Sequence, residues 1–541
     1  MRTKFSIAME GADASDSLSA GAPAIDNNQA GLLEAALEEH ADMQASDKSV
    51  DELVDGQDKL TEIAEVAQES LDGQGLSPRA LSILKMSMKN IVGKNIANRS
   101  VPSMESYNSS DAKEITVIAL EGITDTIKQF WQAIKNQLGK FWTQTKSWYL
   151  KTFDVSNKII SRAKALEEKA GQLSVSANEK SFDFSQANFI KYNNDVKNTA
   201  NVIKGVKNVR QLLDETLLQL NAVNQNDKSD KVLEVSRRKL EGLRSQATKH
   251  ANGASTTWYG QQAELVKALT DSIEPETSII KMASIDITDA EMLTKLGVNG
   301  QQNIVVKATD ILSGDKRLYR TFDNRYLNVN GNNVNIPQFI DSLKAKRFVL
   351  TAAFAKERNL DESVSVPTLN ASQIGEIAST VGEMGEIVLK YKQAFDLRDK
   401  YINKLVKGFD QIIKELDGTE VKHVAPSSGN RDTLQRNQEN FRRAQTNTGV
   451  TGQQPAPQQP APQQPAPQQA PATESADSKD QPEPADKAND SVDKDIRRLA
   501  NTMMANFKKS VSISGAVVTH TIKVANAFLS YGEQSLSQYG K

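Results

Sequence analysis

One feature restricts the fold of this chain more than any other: residues 374–416 carry apolar side chains at the spacing of a single helix face. Ile374, Ile377, Val381, Met384, Val388 and Tyr391 run on through Ile402, Leu405, Phe409, Ile412 and Leu416, a heptad-type stripe. At 1.5 Å per residue it predicts a rod of roughly 65 Å, and a rod with one apolar side must be covered along its length by other helices. Asn370 and Gln373 form a capping pair ahead of it. Gly375, Gly382 and Gly385 leave low ground where a partner can approach. The natural candidate is the last helix, about 492–531, whose Ile496, Leu499, Met503, Phe507 and Val511 share one side. An antiparallel pair is expected.

Three copies of Gln-Gln-Pro-Ala-Pro fill residues 453–467 between these two segments. Proline at that density blocks helix and sheet ladders, so 419–491 reads as a disordered Pro/Gln-rich spacer. Upstream, Ser77 and Pro78 offer an N-cap and a first helical position for a basic amphipathic helix over 77–97, with Leu81, Leu84, Met88, Ile91 and Val92 on one face. Residues 155–270 read as several helices with breaks near 174–183 and 224–230, and Val202, Val206, Val209, Leu213, Leu217 and Leu220 mark a buried stripe. Strands are expected at 304–306, 318–322, 326–329 and 334–336, turned by Ser313-Gly314-Asp315 and Asn330-Gly331.

The fold class that follows is mainly α: an elongated helical bundle or coiled-coil-like hairpin with a small antiparallel β insertion and disordered acidic N-terminal and Pro/Gln-rich segments. Its parts are 1–105, acidic and mostly disordered apart from the 77–97 helix; 106–170, aromatic and basic; 171–300, helical; 301–345, the β insertion; 346–418, long helices; 419–491, the linker; and 492–541, a C-terminal helix packing on 371–417.

From residue 113 to about 170 the pattern is helical and holds three of the four Trp. Phe130 and Trp131 recur as Phe141 and Trp142, Lys135 as Lys146 and Lys140 as Lys151, each eleven residues on. Eleven residues is close to three turns, so each pair shares a side with only about 20° of drift. Together with Trp148, Tyr149 and Phe153, and five Lys against Asp125 over 123–153, they make an aromatic, cationic interaction helix. Bundle core is the plainest reading, docking on another protein the next. A helix lying on an anionic membrane surface is the sharpest.

Chemistry is sparse. The absence of Cys removes disulfides, thiolate metal sites and cysteine nucleophiles. The four His stand apart at 40, 250, 423 and 520. No phosphate-cradling glycine loop, nucleophile elbow, zinc-protease helix or calcium loop occurs. No enzyme, metal or cofactor is expected. Met1 to Glu10 lacks the apolar run of a secretory signal, and the least polar stretch, 511–529, falls short of a membrane span of about 20 apolar residues.

Charge is distributed unevenly. The chain totals −2, yet residues 1–105 sum to −9 and 106–541 to +7. At the change of sign stands Ser103-Met104-Glu105, followed by Ser106, in a polar break. A protease that reads a small residue, any residue, then Glu needs an extendable segment, which Pro102 and the polar residues after Glu105 provide. The same pattern ends at Glu38 and Glu69, at Glu121 and Glu167, where helices are expected to protect it, and at Glu10 and Glu474, the secondary candidates.

The acidic start, the helix around 81–96, the Ser103-Met104-Glu105 site with Ser106-Tyr107, and the Phe130 to Phe153 segment together resemble the internal head proteins of giant tailed bacteriophages of the phiKZ group, over residues 1–170. The resemblance implies a structural virion protein packaged in the prohead through an acidic propeptide that the prohead protease removes after Glu105. It further implies a place inside the capsid beside other head proteins and packaged DNA, after synthesis in the host cytoplasm. At +7 over the processed length, DNA binding is expected to be weak and non-specific. The alternatives are a helical scaffold or adaptor without proteolysis, and a membrane-active protein ejected with the genome.

Overall fold

A computed structural model describes residues 27–95, 112–173, 180–225, 229–234, 236–238, 279–298, 303–323, 347–356, 364–423 and 485–539. In chain order the elements are α1 (Asn27–Asp72), α2 (Pro78–Asn95), α3 (Ala112–Gly171), β1 (Ser181–Phe184), α4 (Ala187–Ile190), α5 (Thr199–Gln225), β2 (Ala283–Ser284), α6 (Ala290–Lys295), β3 (Ile304–Ala308), β4 (Lys316–Asp323), β5 (Arg347–Ala352), β6 (Val364–Pro367), α7 (Ala371–His423) and α8 (Ala485–Ser537).

The heptad rod is α7. Asn370 and Gln373 cap it reciprocally: Gln373 N–H donates to Asn370 Oδ1 at 2.9 Å, and Asn370 N–H to Gln373 Oε1 at 3.0 Å. All of its apolar stripe from Ile374 through Ile412 is buried. Around the same core run α1, α3 and α8, and the pairs α1–α3, α3–α7, α7–α8 and α1–α8 are each antiparallel. Residues 39 and 76 of α1 and its turn meet 151 and 116 of α3; 131 and 149 of α3 meet 410 and 396 of α7. Arg398 of α7 stacks over Phe507 of α8 at 3.9 Å, while Leu369 just before α7 meets Ser535. Residues 40 and 62 of α1 lie by 515 and 498 of α8. The frame is therefore an up-down-up-down bundle sharing one continuous core.

Glycines set the close approaches. A Cβ on Gly385 would stand 2.6 Å from Ile160 Cγ1, and Gly382 faces Ala163, so the helix pressed on this part of α7 is α3. The matching close approach on α8 is Gly515 under Met43 of α1, 2.7 Å from a built Cβ.

β2, β3, β4 and β5 form an antiparallel sheet in that order, with Val306 opposite Thr321 and Tyr319 opposite Val349. The expected turn at Ser313-Gly314-Asp315 is present, with Gly314 at φ +76° and its N–H donating to Lys191 O at 2.8 Å, which fastens the sheet beside α5. β1 pairs with β6, tying the exit of α3 to the entry of α7.

Several boundaries differ from the sequence reading. Within the acidic segment expected to be mostly disordered, Asn27–Asp72 is one 46-residue helix packed into the bundle. Its apolar residues are spaced by sevens, which polar residues between them disguise. The β region extends past 345: β5 and β6 precede α7 inside the stretch assigned to long helices, and β1 interrupts the one assigned to helix alone. α7 continues to His423 and α8 begins at Ala485, so both enter the expected linker. Pro426 and Pro484, the nearest prolines, set those limits. The Gln-Gln-Pro-Ala-Pro repeats and the 326–336 hairpin lie outside the described residues.

Candidate interaction surface: the aromatic helix and its acidic cover

α3 turns its aromatic stripe inward. Phe130, Trp131, Phe141, Trp142, Trp148 and Tyr149 are buried and Phe153 is half-buried. Tyr149 stacks on Phe395 of α7, centroids 5.8 Å apart and planes 7° from parallel, and its hydroxyl reaches Asp396 Oδ1 at 3.3 Å. Burial and then the Asp396 charge push that phenol up to about 12. Trp148 lies between Phe395 of α7 and His40 of α1.

The eleven-residue recurrence has a structural partner. Lys135 pairs with Asp410 and Lys146 with Asp399 at 2.6 Å, so the two lysines eleven apart on α3 meet two aspartates eleven apart on antiparallel α7. Burial works against the Asp410 carboxylate, but Lys135 and Lys414 hold it below the usual range. Lys151 is taken by Glu39 of α1 at 2.8 Å. With α1 and α7 in place, the rings are covered and three of the five lysines are paired inside the bundle. The aromatic stripe is core.

The cover is α1, with thirteen Asp and Glu against Lys48 and Lys59. Met43, Val50 and Gln57 repeat by seven, as do Ser46, Leu53, Leu60 and Ala67, and His40, Val54 and Thr61 fall on the adjoining row; all are buried. Its carboxylates reach cations on both neighbouring helices. Besides Glu39 on Lys151, Asp47 and Asp51 contact Lys508 of α8 at 2.5 and 2.8 Å, and Glu62 faces Arg498 at 3.7 Å. Lys508 also donates to the Asp47 carbonyl at 2.6 Å, and its side chain is 0% exposed. Lys151 holds Glu39 below the ordinary carboxylate range, whereas burial raises Asp47 despite Lys508. Burial pushes the imidazoles of His40 and His520 down to about 4, and Lys509 down to about 8. Nothing in the sequence reading singled out Lys508 or its aspartates; the signal available was the seven-residue spacing in 36–67.

Ser103, Met104, Glu105 and Ser106 fall between the end of α2 and the start of α3, outside the described residues, as do Glu10 and Glu474. Glu121 and Glu167 stand within α3, and Glu38 and Glu69 within α1. Among the described residues no group of three or more metal-ligating side chains converges, and no helix is long and apolar enough to cross a membrane. An open cleft beside α5 is lined by Lys207, Arg210, Asp214, Glu215 and Glu383. Two of its charges are paired across to α7, Lys207 with Glu376 and Arg210 with Glu383.

No curated protein and no solved structure matches the chain. A family model described as phiKZ-like phage internal head proteins matches residues 35–439. That interval carries α1, α3 and α7 with the whole β region between them, well beyond residue 170. A long-helix frame with an internal aromatic stripe suits a structural part, and the chain belongs to the phiKZ-like phage internal head proteins.

Proposed function

We propose that this internal head protein is made as a precursor in the host cytoplasm, enters the prohead with its acidic N-terminal segment attached, and is cut by the prohead protease after Glu105. It works there without catalysis of its own, among other head proteins. The observation that carries this reading is the charge inversion: −9 before the cut and +7 after it. In a capsid filling with polyanion the first segment is repelled and the second is weakly attracted by counterion release.

Glu105→Ala tests the site. In particles grown with that variant the cut product is absent while the circular dichroism of the purified chain is unchanged; a product of unaltered mass refutes cleavage at this position.

A further inference from the structure

α1 is more than a charged tail, because it fills a trough with an apolar floor and cationic walls. The floor is apolar and aromatic: Met43 rests on the bare Cα of Gly515, and His40 lies against Trp148 with centroids 5.7 Å apart. The walls carry cations, Lys151 from α3 and Arg498 and Lys508 from α8, each facing a carboxylate of α1. Along α1 these contacts run from Glu39 to Glu62, about 35 Å at 1.5 Å per residue. Asp47 and Asp51, one turn apart, both engage Lys508.

We propose that the trough between α3 and α8 is a docking surface for an acidic amphipathic helix, held in the precursor by α1. A helix of the same chemistry on a neighbouring polypeptide takes it once α1 has gone. This rests on the reading that residues 1–105 are removed, and names what the vacated face then binds. Charge complementarity selects the occupant together with the floor. Duplex nucleic acid satisfies the cations but has no apolar stripe to lay over Gly515 and Trp148, whereas a helix with apolar residues every seven and carboxylates four apart satisfies both. The cut by itself frees no surface, since α1 remains held by its core contacts and ion pairs until it is exchanged.

The test uses the full-length chain and a fluorescent peptide of residues 27–72. Asp47→Lys with Asp51→Lys sets like charges against Lys508 and loosens the cover from within. The peptide then binds this variant at least about tenfold more tightly than the unaltered chain, whose own α1 occupies the trough. Adding Lys508→Glu restores opposite charges inside the chain and returns binding to the weak level. Duplex DNA at equal phosphate concentration leaves the peptide in place. Where the double reversal unfolds the chain by circular dichroism, Asp51→Lys alone, at the more exposed carboxylate, serves as the second variant. Equal binding to altered and unaltered chains, indifference to Lys508→Glu, or displacement by DNA overturns the proposal. Neither outcome depends on the phage protease. Failure of the cleavage reading shows in the mass of the particle protein, and failure of the docking surface shows in this titration.

Discussion

Lys508 and the two buried imidazoles show how closely single residues govern this bundle. An ammonium with no exposed surface is tolerated because two carboxylates and a carbonyl of α1 surround it. The histidines are tolerated only as neutral rings. His40 is packed on Trp148 and faces Lys523; His520, fully enclosed, faces Lys316 and Lys523 and contacts the Ser313 backbone. Both are pushed from 6.5 to about 4 by burial, so between those values the unfolded chain takes up protons that the folded one refuses. Stability accordingly falls as pH drops through that window, by roughly 2 kcal/mol per ring at pH 5. Asp47 has the opposite sign: burial raises its carboxyl, so the folded chain holds a proton there more readily than the unfolded one. The net prediction is a lower urea midpoint at pH 5 than at pH 7, with the difference reduced in His40→Gln. A midpoint independent of pH over this range contradicts the neutral burial of these rings.

At the scale of elements, the legible helices are those whose polar face and apolar face are cleanly divided. α7 could be read to its capping pair, and Asn370→Ala is predicted to cost about 1 kcal/mol in chemical denaturation; no loss means that the cap seen here contributes nothing. α5 and the β3–β4 strands were legible for the same reason, a short period carried by Val, Leu, Ile and aromatic residues. α1 was not, because Ser46, Gln57 and Thr61 occupy its buried rows alongside Met43, Val50 and Leu60, and acidic composition suggests disorder when the covering helices are unknown. The β1–β6 pairing was invisible from sequence because its strands lie about 180 residues apart and each is four residues long. For the candidate interaction helix, sequence gave the right side chains at the right spacing. Their role turned on Asp399, Asp410 and Glu39, distant residues whose match to Lys146, Lys135 and Lys151 only the packing reveals.

For the whole molecule, the acidic N-terminal helix is built into the bundle, and that bears on the proposed cleavage. A loose arm would depart with such a cut. A helix seated by heptad packing and by ion pairs to two neighbours would leave a shaped face behind, and the chain remaining after the proposed cut would carry +7 in place of −2. The family to which the chain belongs places it inside a phage head, where that change of sign has a physical consequence. Mass spectrometry of the protein extracted from mature, DNA-filled particles tests this directly. The account predicts a first peptide beginning at Ser106, with residues 1–105 missing from the particle; full-length protein still beginning at Met1 would contradict it.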